Sequence, residues 1–194
     1  MDIAFPGRFS ANLLESCSHD FQAGNVAAAV AQIAKGNPQA VIMATLYKPT
    51  AEFVRQMRKA GQMPQFSTLS PIGADLLVAE MGAKEAHGIG IAQVMPYPWN
   101  DTTPVVKEFH KAIRAFTKQG NYSYYGIEGF LNAKLMAEAL KKLGKDPTRE
   151  KLVTTLESSN FDLGGYRVGY SPANRNGSRF VDLTVLGRDG RVLR

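Results

Sequence analysis

The stretch that decides the fold is residues 40–69, AVIMATLYKPTAEFVRQMRKAGQMPQFSTL. Its apolar run at 40–44 predicts a strand, and because the run does not alternate it is typical of a parallel strand covered on both faces. Residues 50–60 predict a helix with Phe53, Val54 and Met57 on one face. A second strand is predicted at 65–69. Strand, helix and strand joined by short connections form the unit from which parallel sheets are built.

The same alternation continues on both sides of this stretch. A helical pattern at 26–35 precedes it and ends at Gly36, while a short helix at 73–81 and a strand at 88–95 follow it. The order predicts an α/β fold, with a parallel sheet and flanking helices.

The composition changes after the third strand. PYPWNDTTP at 96–104 has three prolines and no period, as expected of a linker or crossover. Three helices are then predicted without a strand between them, at 104–118, 124–143 and 149–158. We expect Thr103 to cap the first of them, and Glu138 to support the second through Lys142, four residues on.

The tail returns to strand patterns. GGYRVGYSP and SRFVDLTVLG alternate in part, and Asp189-Gly190 before RVL predicts a hairpin turn. The chain therefore divides into an unassigned segment at 1–24, an α/β part at 25–95, a crossover with helices at 96–160, and closing strands with a C-terminal hairpin at 161–194.

Composition excludes several classes of protein. With 194 residues and one cysteine, Cys17, the chain has no intramolecular disulfide, and one cysteine does not make a zinc site. The net charge of +6 is spread along the chain, without the run of like charges that marks a nucleic-acid arm, so we expect no nucleic-acid partner. No apolar stretch is long enough to span a membrane, and the first residues do not have the pattern of a signal peptide.

In open parallel sheets, ligands bind beyond the carboxyl ends of the strands. Three predicted connections lie there, at 45–49, 70–73 and 96–99. They offer hydroxyl groups, aromatic rings and the free N–H groups of helix starts, which suit a carboxylate or another anion. The candidate ligand-binding residues are Thr45, Tyr47, Ser70, Tyr97 and Trp99.

Each candidate has a structural alternative. Tyr47 at a strand end also suits boundary packing, Ser70 before Pro71 also suits the start of a turn, and Trp99 in a linker also suits a wedge between lobes. The sequence alone leaves these alternatives open.

Catalytic and metal motifs are not found. Gly88-x-Gly90 lacks the third glycine of a dinucleotide loop, and no serine sits in G-x-S-x-G. The three histidines are scattered, and His110 is predicted on the polar face of its helix. We therefore expect no catalytic residue, no metal site and no cofactor.

Several longer segments carry a family resemblance. VAAAVAQIAKGNPQAVIMATLYKPTAEFVRQMRKAG, PYPW, IEGFLNAKLMAEAL, TREKLVTTLES and the ending FDLGGYRVGYSPANRNGSRFVDLTVLGRDGRVLR closely resemble the substrate-binding proteins of ABC transporters for branched-chain amino acids and related solutes. The resemblance runs from Val26 to Arg194 and covers only the C-terminal part of the family's sequence.

The resemblance implies a type I periplasmic-binding-protein fold, whose two lobes trap a solute and close about a hinge. On that basis 25–95 is most of the second lobe, 96–160 returns through the first lobe's helices, and 161–194 closes the second lobe. It also implies an incomplete, truncated chain, a transporter permease as partner of the full-length protein, and a periplasmic location. Because no signal peptide is recognised, the chain as it stands is expected in the cytoplasm.

Two correspondences concern the ligand. The resemblance places Tyr47 where relatives hold an aromatic residue against the ligand, and Ser70 where amino-acid-specific relatives often carry an acidic residue for the ammonium group. Losing a charge-assisted hydrogen bond argues against a simple branched-chain amino acid. An amide, an aromatic acid or another small carboxylate remains as a candidate solute.

The leading function is thus a non-catalytic solute-binding component of an ABC transporter. The alternatives are a ligand-sensing domain of a receptor or regulator and, less favoured, a small α/β hydrolase. We further expect weak solute binding by this chain alone, and self-association through apolar helix faces left exposed.

Overall fold

A computed structural model describes residues 2–4, 10–12 and 26–194. The chain forms two compact units. The described residues up to Ala92, together with Leu183–Arg194, make the first unit, and Gln93–Asp182 make the second.

The first unit is built on a five-stranded sheet. It contains the strands β1 (Asp2–Ala4) and β2 (Ser10–Asn12), which pair with each other, and then α1 (Ala27–Lys35), β3 (Ala40–Met43), α2 (Tyr47–Lys59), β4 (Gln65–Leu69), a 3-10 turn (Ser70–Ile72), α3 (Ala74–Met81), α4 (Ala83–Ala86), β5 (Gly90–Gln93), β8 (Asp182–Leu186) and β9 (Val192–Leu193). The strand order of the large sheet is β3-β4-β5-β8-β9. β3, β4 and β5 run parallel, which confirms the predicted parallel sheet with flanking helices.

β8 joins the sheet in the opposite direction. The N–H of Leu186 donates to the carbonyl of Ile89, whereas the Thr184 hydroxyl donates to the carbonyl of Ile91, so residue numbers fall on one strand as they rise on the other. β8 and β9 form an antiparallel hairpin whose turn contains Asp189-Gly190, as predicted. The sheet is therefore mixed.

The core of the first unit lies on one face of this sheet. β3, β4 and β8 alternate between buried and exposed positions, and α2 packs on the buried side, where the ring of Phe53 meets that of Phe66 edge to face at 6.5 Å. The prediction that β3 is covered on both faces is wrong, because Ile42 is 76% exposed. An apolar run shows that a strand has side chains suited to burial on both faces. Whether both faces are buried depends on which other elements pack against the strand.

The second unit is mainly helical. It consists of α5 (Pro104–Thr117), α6 (Tyr124–Leu143), α7 (Arg149–Ser158) and the antiparallel hairpin of β6 (Asn160–Asp162) and β7 (Arg167–Gly169). The three helices follow one another without a strand, as predicted. One apolar cluster joins helices and hairpin, and its members with an exposure of 1% or less are Val105, Val106, Phe109, Ile127, Ala139 and Leu163.

Helix boundaries follow local capping signals. Ser123 accepts a hydrogen bond from the N–H of Gly126, and Thr148 accepts one from the N–H of Lys151, so α6 and α7 begin with side-chain caps. Thr103 occupies the N-cap position of α5, but its side chain makes no capping hydrogen bond. α2 begins at Tyr47, three residues before the predicted start.

Glu138 has a different partner from the one predicted. Its carboxylate binds Lys141 at 2.8 Å, whereas the ammonium group of Lys142 lies 4.9 Å from the centre of the Phe161 ring. Lys142 thus covers the hairpin core with its cation over an aromatic face instead of supporting α6.

The predicted division at residue 161 differs from the observed units. The sequence pattern groups the β6–β7 hairpin with the closing strands, whereas its side chains pack into the helical core of the second unit. β8 from Leu183 onward and β9 belong to the first unit. Which lobe each unit represents stays a prediction.

Candidate functional site

The first group of predicted site residues lies at the carboxyl ends of β3 and β4. Met43 pairs with Thr68, so Thr45 and Ser70, each two residues further on, follow neighbouring strand ends at the same edge of the sheet. Tyr47 begins α2 at this edge. All three side chains are half-buried, which leaves part of each accessible to a solute.

The start of α2 is held by local hydrogen bonds. The hydroxyl groups of Thr45 and Thr50 bond to each other, and the N–H of Thr50 donates to the carbonyl of Leu46. No side chain caps the helix, and its first turn contains no acidic residue. The N-terminal end of α2 therefore keeps its partial positive charge beside Thr45 and Tyr47, a local field that favours an anion.

The second group lies in the second unit, in the turn that follows β5. The rings of Tyr97 and Trp99 contact each other with centroids 5.1 Å apart, and Tyr124 lies 6.5 Å from Tyr97 and 5.5 Å from Trp99. We call Tyr97, Trp99 and Tyr124 the aromatic triad. Trp99 is 40% exposed, so the triad presents an indole surface to solvent.

His110 positions the turn that carries the triad. Its Nε2 lies 2.7 Å from the carbonyl oxygen of Pro98, and its ring stacks on Tyr122 with centroids 3.8 Å apart. The prediction that His110 lies on a polar face is wrong, because the side chain is buried. The Pro98 carbonyl lets an imidazole N–H be buried with a hydrogen-bond partner.

The structure thus brings Thr45, Tyr47 and Ser70 to one edge, and Tyr97 and Trp99 into one ring cluster. The sequence analysis did not identify Tyr124. Ser123 precedes an apolar helical pattern and so signals the start of α6, whose first residue is Tyr124. His110 was also missed, because its role depends on a carbonyl twelve residues earlier in the chain.

A further cleft opens within the second unit. It has a volume of about 530 Å³, with Met95, Tyr166 and Phe180 among its apolar lining and polar side chains from residues 174–179 among its polar lining. Arg175 of this lining forms an ion pair with Glu157, whose side chain is only 17% exposed. None of the site residues predicted from the sequence lines this cleft.

Shifted pKa values occur away from both groups. The N–H groups of Gly165 and Gly164 lower the pKa of Asp162, and Lys141 lowers that of Glu138. Burial raises the pKa of the Tyr166 hydroxyl, which donates a hydrogen bond to the carbonyl of Val94. These groups stabilise a turn, a helix surface and a core, respectively.

Neither a cluster of metal ligands nor a membrane-spanning helix is found in the described residues. Over 2–4, 10–12 and 26–194, no three His, Cys, Asp or Glu side chains come together as metal ligands would. Over the same residues, no helix combines the length and apolar character of a membrane span.

The chain resembles known proteins in sequence and in fold. A sequence model described as periplasmic binding protein matches residues 10–191, which is nearly the whole chain. The chain belongs to the periplasmic binding protein family. No curated protein matches this chain.

Solved structures agree with the type I periplasmic-binding-protein fold. An extracellular ligand-binding receptor from Verminephrobacter eiseniae is 33% identical, with a TM-score of 0.74 over 87% of this binding protein and 48% of its own chain. A substrate-binding periplasmic protein from Ralstonia solanacearum is 34% identical, with a TM-score of 0.74 over 88% and 49%. This periplasmic binding protein thus spans about half the length of these relatives.

A more distant structure shows the same fold. A branched-chain amino acid ABC transporter protein from Thermus thermophilus, solved with bound valine, is 18% identical, with a TM-score of 0.68 over 87% of this chain and 48% of its own.

The predicted absence of a signal peptide falls on residues 1–24, which lie largely outside the described part of this binding protein.

Proposed function

We propose that this chain is a non-catalytic solute-binding component of an ABC transporter, working in the periplasm with a membrane permease. Family membership supports the class of function. The observation that carries the proposal is the shared edge of β3 and β4, where Thr45, Tyr47 and Ser70 follow paired strand ends beside the start of α2. Ligands of open α/β sheets bind at such an edge.

The chemistry of this edge favours a small carboxylate or amide. The Thr45 and Ser70 hydroxyls and the first N–H groups of α2 donate hydrogen bonds, and the ring of Tyr47 offers an apolar surface. Ser70 carries no charge to pair with an ammonium group. We therefore propose an amide, an aromatic acid or another small carboxylate as solute, in preference to a simple branched-chain amino acid.

The aromatic triad is proposed as a separate apolar contact surface within the second unit. Tyr97, Trp99 and Tyr124 form a rigid apolar surface because each ring contacts the other two. Such a surface suits the apolar body of a solute. Trp99 is the single tryptophan of the chain, so its fluorescence reports on this group alone.

The proposal is tested by NMR titration of the labelled chain with millimolar benzoate, acetamide and leucine in turn. We expect benzoate or acetamide to shift the amide resonances of Thr45, Tyr47 and Ser70 more than leucine does. Tyr47→Ala should weaken that binding by about tenfold, the loss of about 1.4 kcal/mol of contact. Tyr125→Ala is the matched control, because Tyr125 also lies near a helix start but outside both groups.

Two results would contradict the proposal. One is that none of the three solutes shifts these resonances. The other is that Tyr47→Ala and Tyr125→Ala bind the solute equally well.

A further inference from the structure

The second unit contains a cleft that takes no part in the proposed solute site. Its volume of about 530 Å³ lies within the range that is usual for small-molecule sites in proteins. The cleft is lined by Val94, Met95, Tyr166 and residues 174–181, all of which belong to the second unit. One compact unit therefore provides the whole lining.

One part of the lining is apolar and aromatic. The rings of Tyr166 and Phe180 have centroids 5.8 Å apart and planes inclined by 56°. The Tyr166 hydroxyl donates to the carbonyl of Val94 at 3.1 Å, so its polar atom already has a partner within the protein. Tyr166 and Phe180 therefore offer ring surface to a ligand, and aromatic groups pack on one another at such inclined geometries.

The other part of the lining is cationic. Arg175 and Arg179 line the cleft, whereas none of the described Asp and Glu residues does so. Glu157, whose side chain is 17% exposed, compensates the charge of Arg175. Arg179 is exposed and forms no ion pair with any carboxylate in residues 2–4, 10–12 and 26–194. The lining therefore carries one positive charge that no described carboxylate compensates.

The loop that carries the two arginines uses its side-chain acceptors internally. Oδ1 of Asn174 accepts a hydrogen bond from the N–H of Asn176 at 2.9 Å, and Oγ of Ser178 accepts one from the N–H of Phe180 at 3.1 Å. The amide nitrogen of Asn174 and the guanidinium group of Arg179 can only donate. This polar lining therefore suits a ligand that brings acceptor oxygens and a negative charge.

The same loop is held in place by its own backbone. The N–H of Gly169 donates to the carbonyl of Gly177 at 2.8 Å, and Ser171 and Asn174 exchange two backbone hydrogen bonds of 2.9 and 3.1 Å. A lining that is already ordered loses little conformational entropy when a ligand binds. This order favours the binding of a small ligand.

We propose that this cleft binds a small aromatic anion, whose ring packs on Tyr166 and Phe180 while its acidic group pairs with the guanidinium of Arg179. Arg175 is already engaged by Glu157, so Arg179 is the residue that selects a negatively charged ligand. The proposal goes beyond the solute-binding function and does not depend on which solute binds at the edge of β3 and β4.

The test is an NMR titration of the labelled chain with naphthalene-2-sulfonate, whose acidic group stays ionised at neutral pH. We expect the amide resonances of Gly177, Ser178 and Phe180 to shift as this probe is added. Arg179→Gln should weaken the binding by about tenfold, because the charge-assisted hydrogen bonds to the sulfonate are lost. For the same reason, the neutral analogue 2-naphthol should bind the parent chain about tenfold more weakly than the sulfonate.

Arg149→Gln is the matched control. Arg149 also lies in the second unit, is exposed and forms no ion pair among the described residues, but it does not line the cleft. Its replacement removes the same charge and should leave the affinity unchanged. Equal weakening by Arg149→Gln and Arg179→Gln would overturn the proposal, because the attraction would then depend on net charge alone.

Two further results would also overturn the proposal. One is that no amide resonance among residues 174–181 shifts at millimolar probe, whether or not those of Thr45, Tyr47 and Ser70 do. The other is that 2-naphthol binds as tightly as naphthalene-2-sulfonate, which would mean that the cleft selects ring surface and not charge.

Discussion

The Nε2 atom of His110 in α5 donates a hydrogen bond to the carbonyl oxygen of Pro98, 2.7 Å away, in the turn that carries Tyr97 and Trp99. The imidazole ring of His110 also stacks on the ring of Tyr122, with the two centroids 3.8 Å apart. One buried side chain therefore connects the helical core of the second unit to the aromatic triad.

Replacing His110 should loosen this turn. His110→Ala leaves the Pro98 carbonyl without its donor and removes a buried ring, so we expect a loss of about 2 kcal/mol in unfolding free energy. The emission of Trp99 should shift to longer wavelength as its surroundings become wetter. His87→Ala, at an exposed histidine, is the control. Unchanged Trp99 emission in His110→Ala would show that the hydrogen bond does not position the turn.

Asp162 should make the free energy of unfolding depend on pH. Its carboxylate accepts hydrogen bonds from the N–H groups of Gly165 at 2.7 Å and Gly164 at 2.9 Å, which lowers its pKa in the folded protein. The stabilisation is present above the unfolded-state pKa and is lost as pH falls through the lower, folded-state pKa.

The measurement is urea denaturation as a function of pH. Asp162→Asn should lower the midpoint at neutral pH, and the difference from the parent should vanish in strong acid. Asp75→Asn, at an exposed carboxyl in the first turn of α3, is the comparison. A difference that persists undiminished in acid would exclude the charge as its cause.

Two glycines of the second unit should respond in opposite directions to alanine. At Gly177 an added Cβ would lie 2.6 Å from atoms of the Tyr170 ring, so Gly177→Ala should destabilise by about 1–3 kcal/mol. At Gly129, inside α6, the added Cβ meets nothing within 4 Å, so Gly129→Ala should stabilise by about 0.5–1 kcal/mol. Thermal unfolding of the two variants checks both signs, and equal shifts would contradict the packing of Gly177 on Tyr170.

Self-association should involve one face of α6. Tyr125, Met136 and Leu140 on this helix are 45%, 44% and 42% exposed and recur at helical spacing with exposed Gly129 and Ala133. Met136→Glu should therefore reduce the average mass measured by light scattering at high concentration.

Val153→Glu on α7 is the matched control, because Val153 has the same 44% exposure. A parent chain that stays monomeric at high concentration would contradict the expected association. Equal effects of the two variants would mean that this face of α6 has no special part in it.

The sequence by itself determined the order of the elements and most of their boundaries. The predicted helices 124–143 and 149–158 and the strand 65–69 have the observed limits, and the Asp189-Gly190 turn forms where predicted. Periodicity, caps and turn residues act over a few neighbouring residues, so they can be read from the chain. The same alternation was enough to place Thr45, Tyr47 and Ser70 after strands.

Only the tertiary structure decided what is buried and what meets across long separations. Ile42 is exposed within an apolar run, His110 is buried within a polar pattern, and Tyr124 joins rings more than twenty residues earlier in the chain. Burial depends on which distant elements reach a residue, and a ring cluster depends on how a turn and a helix start meet. Neither is encoded in the spacing of adjacent residues, because both arise when separate elements pack together.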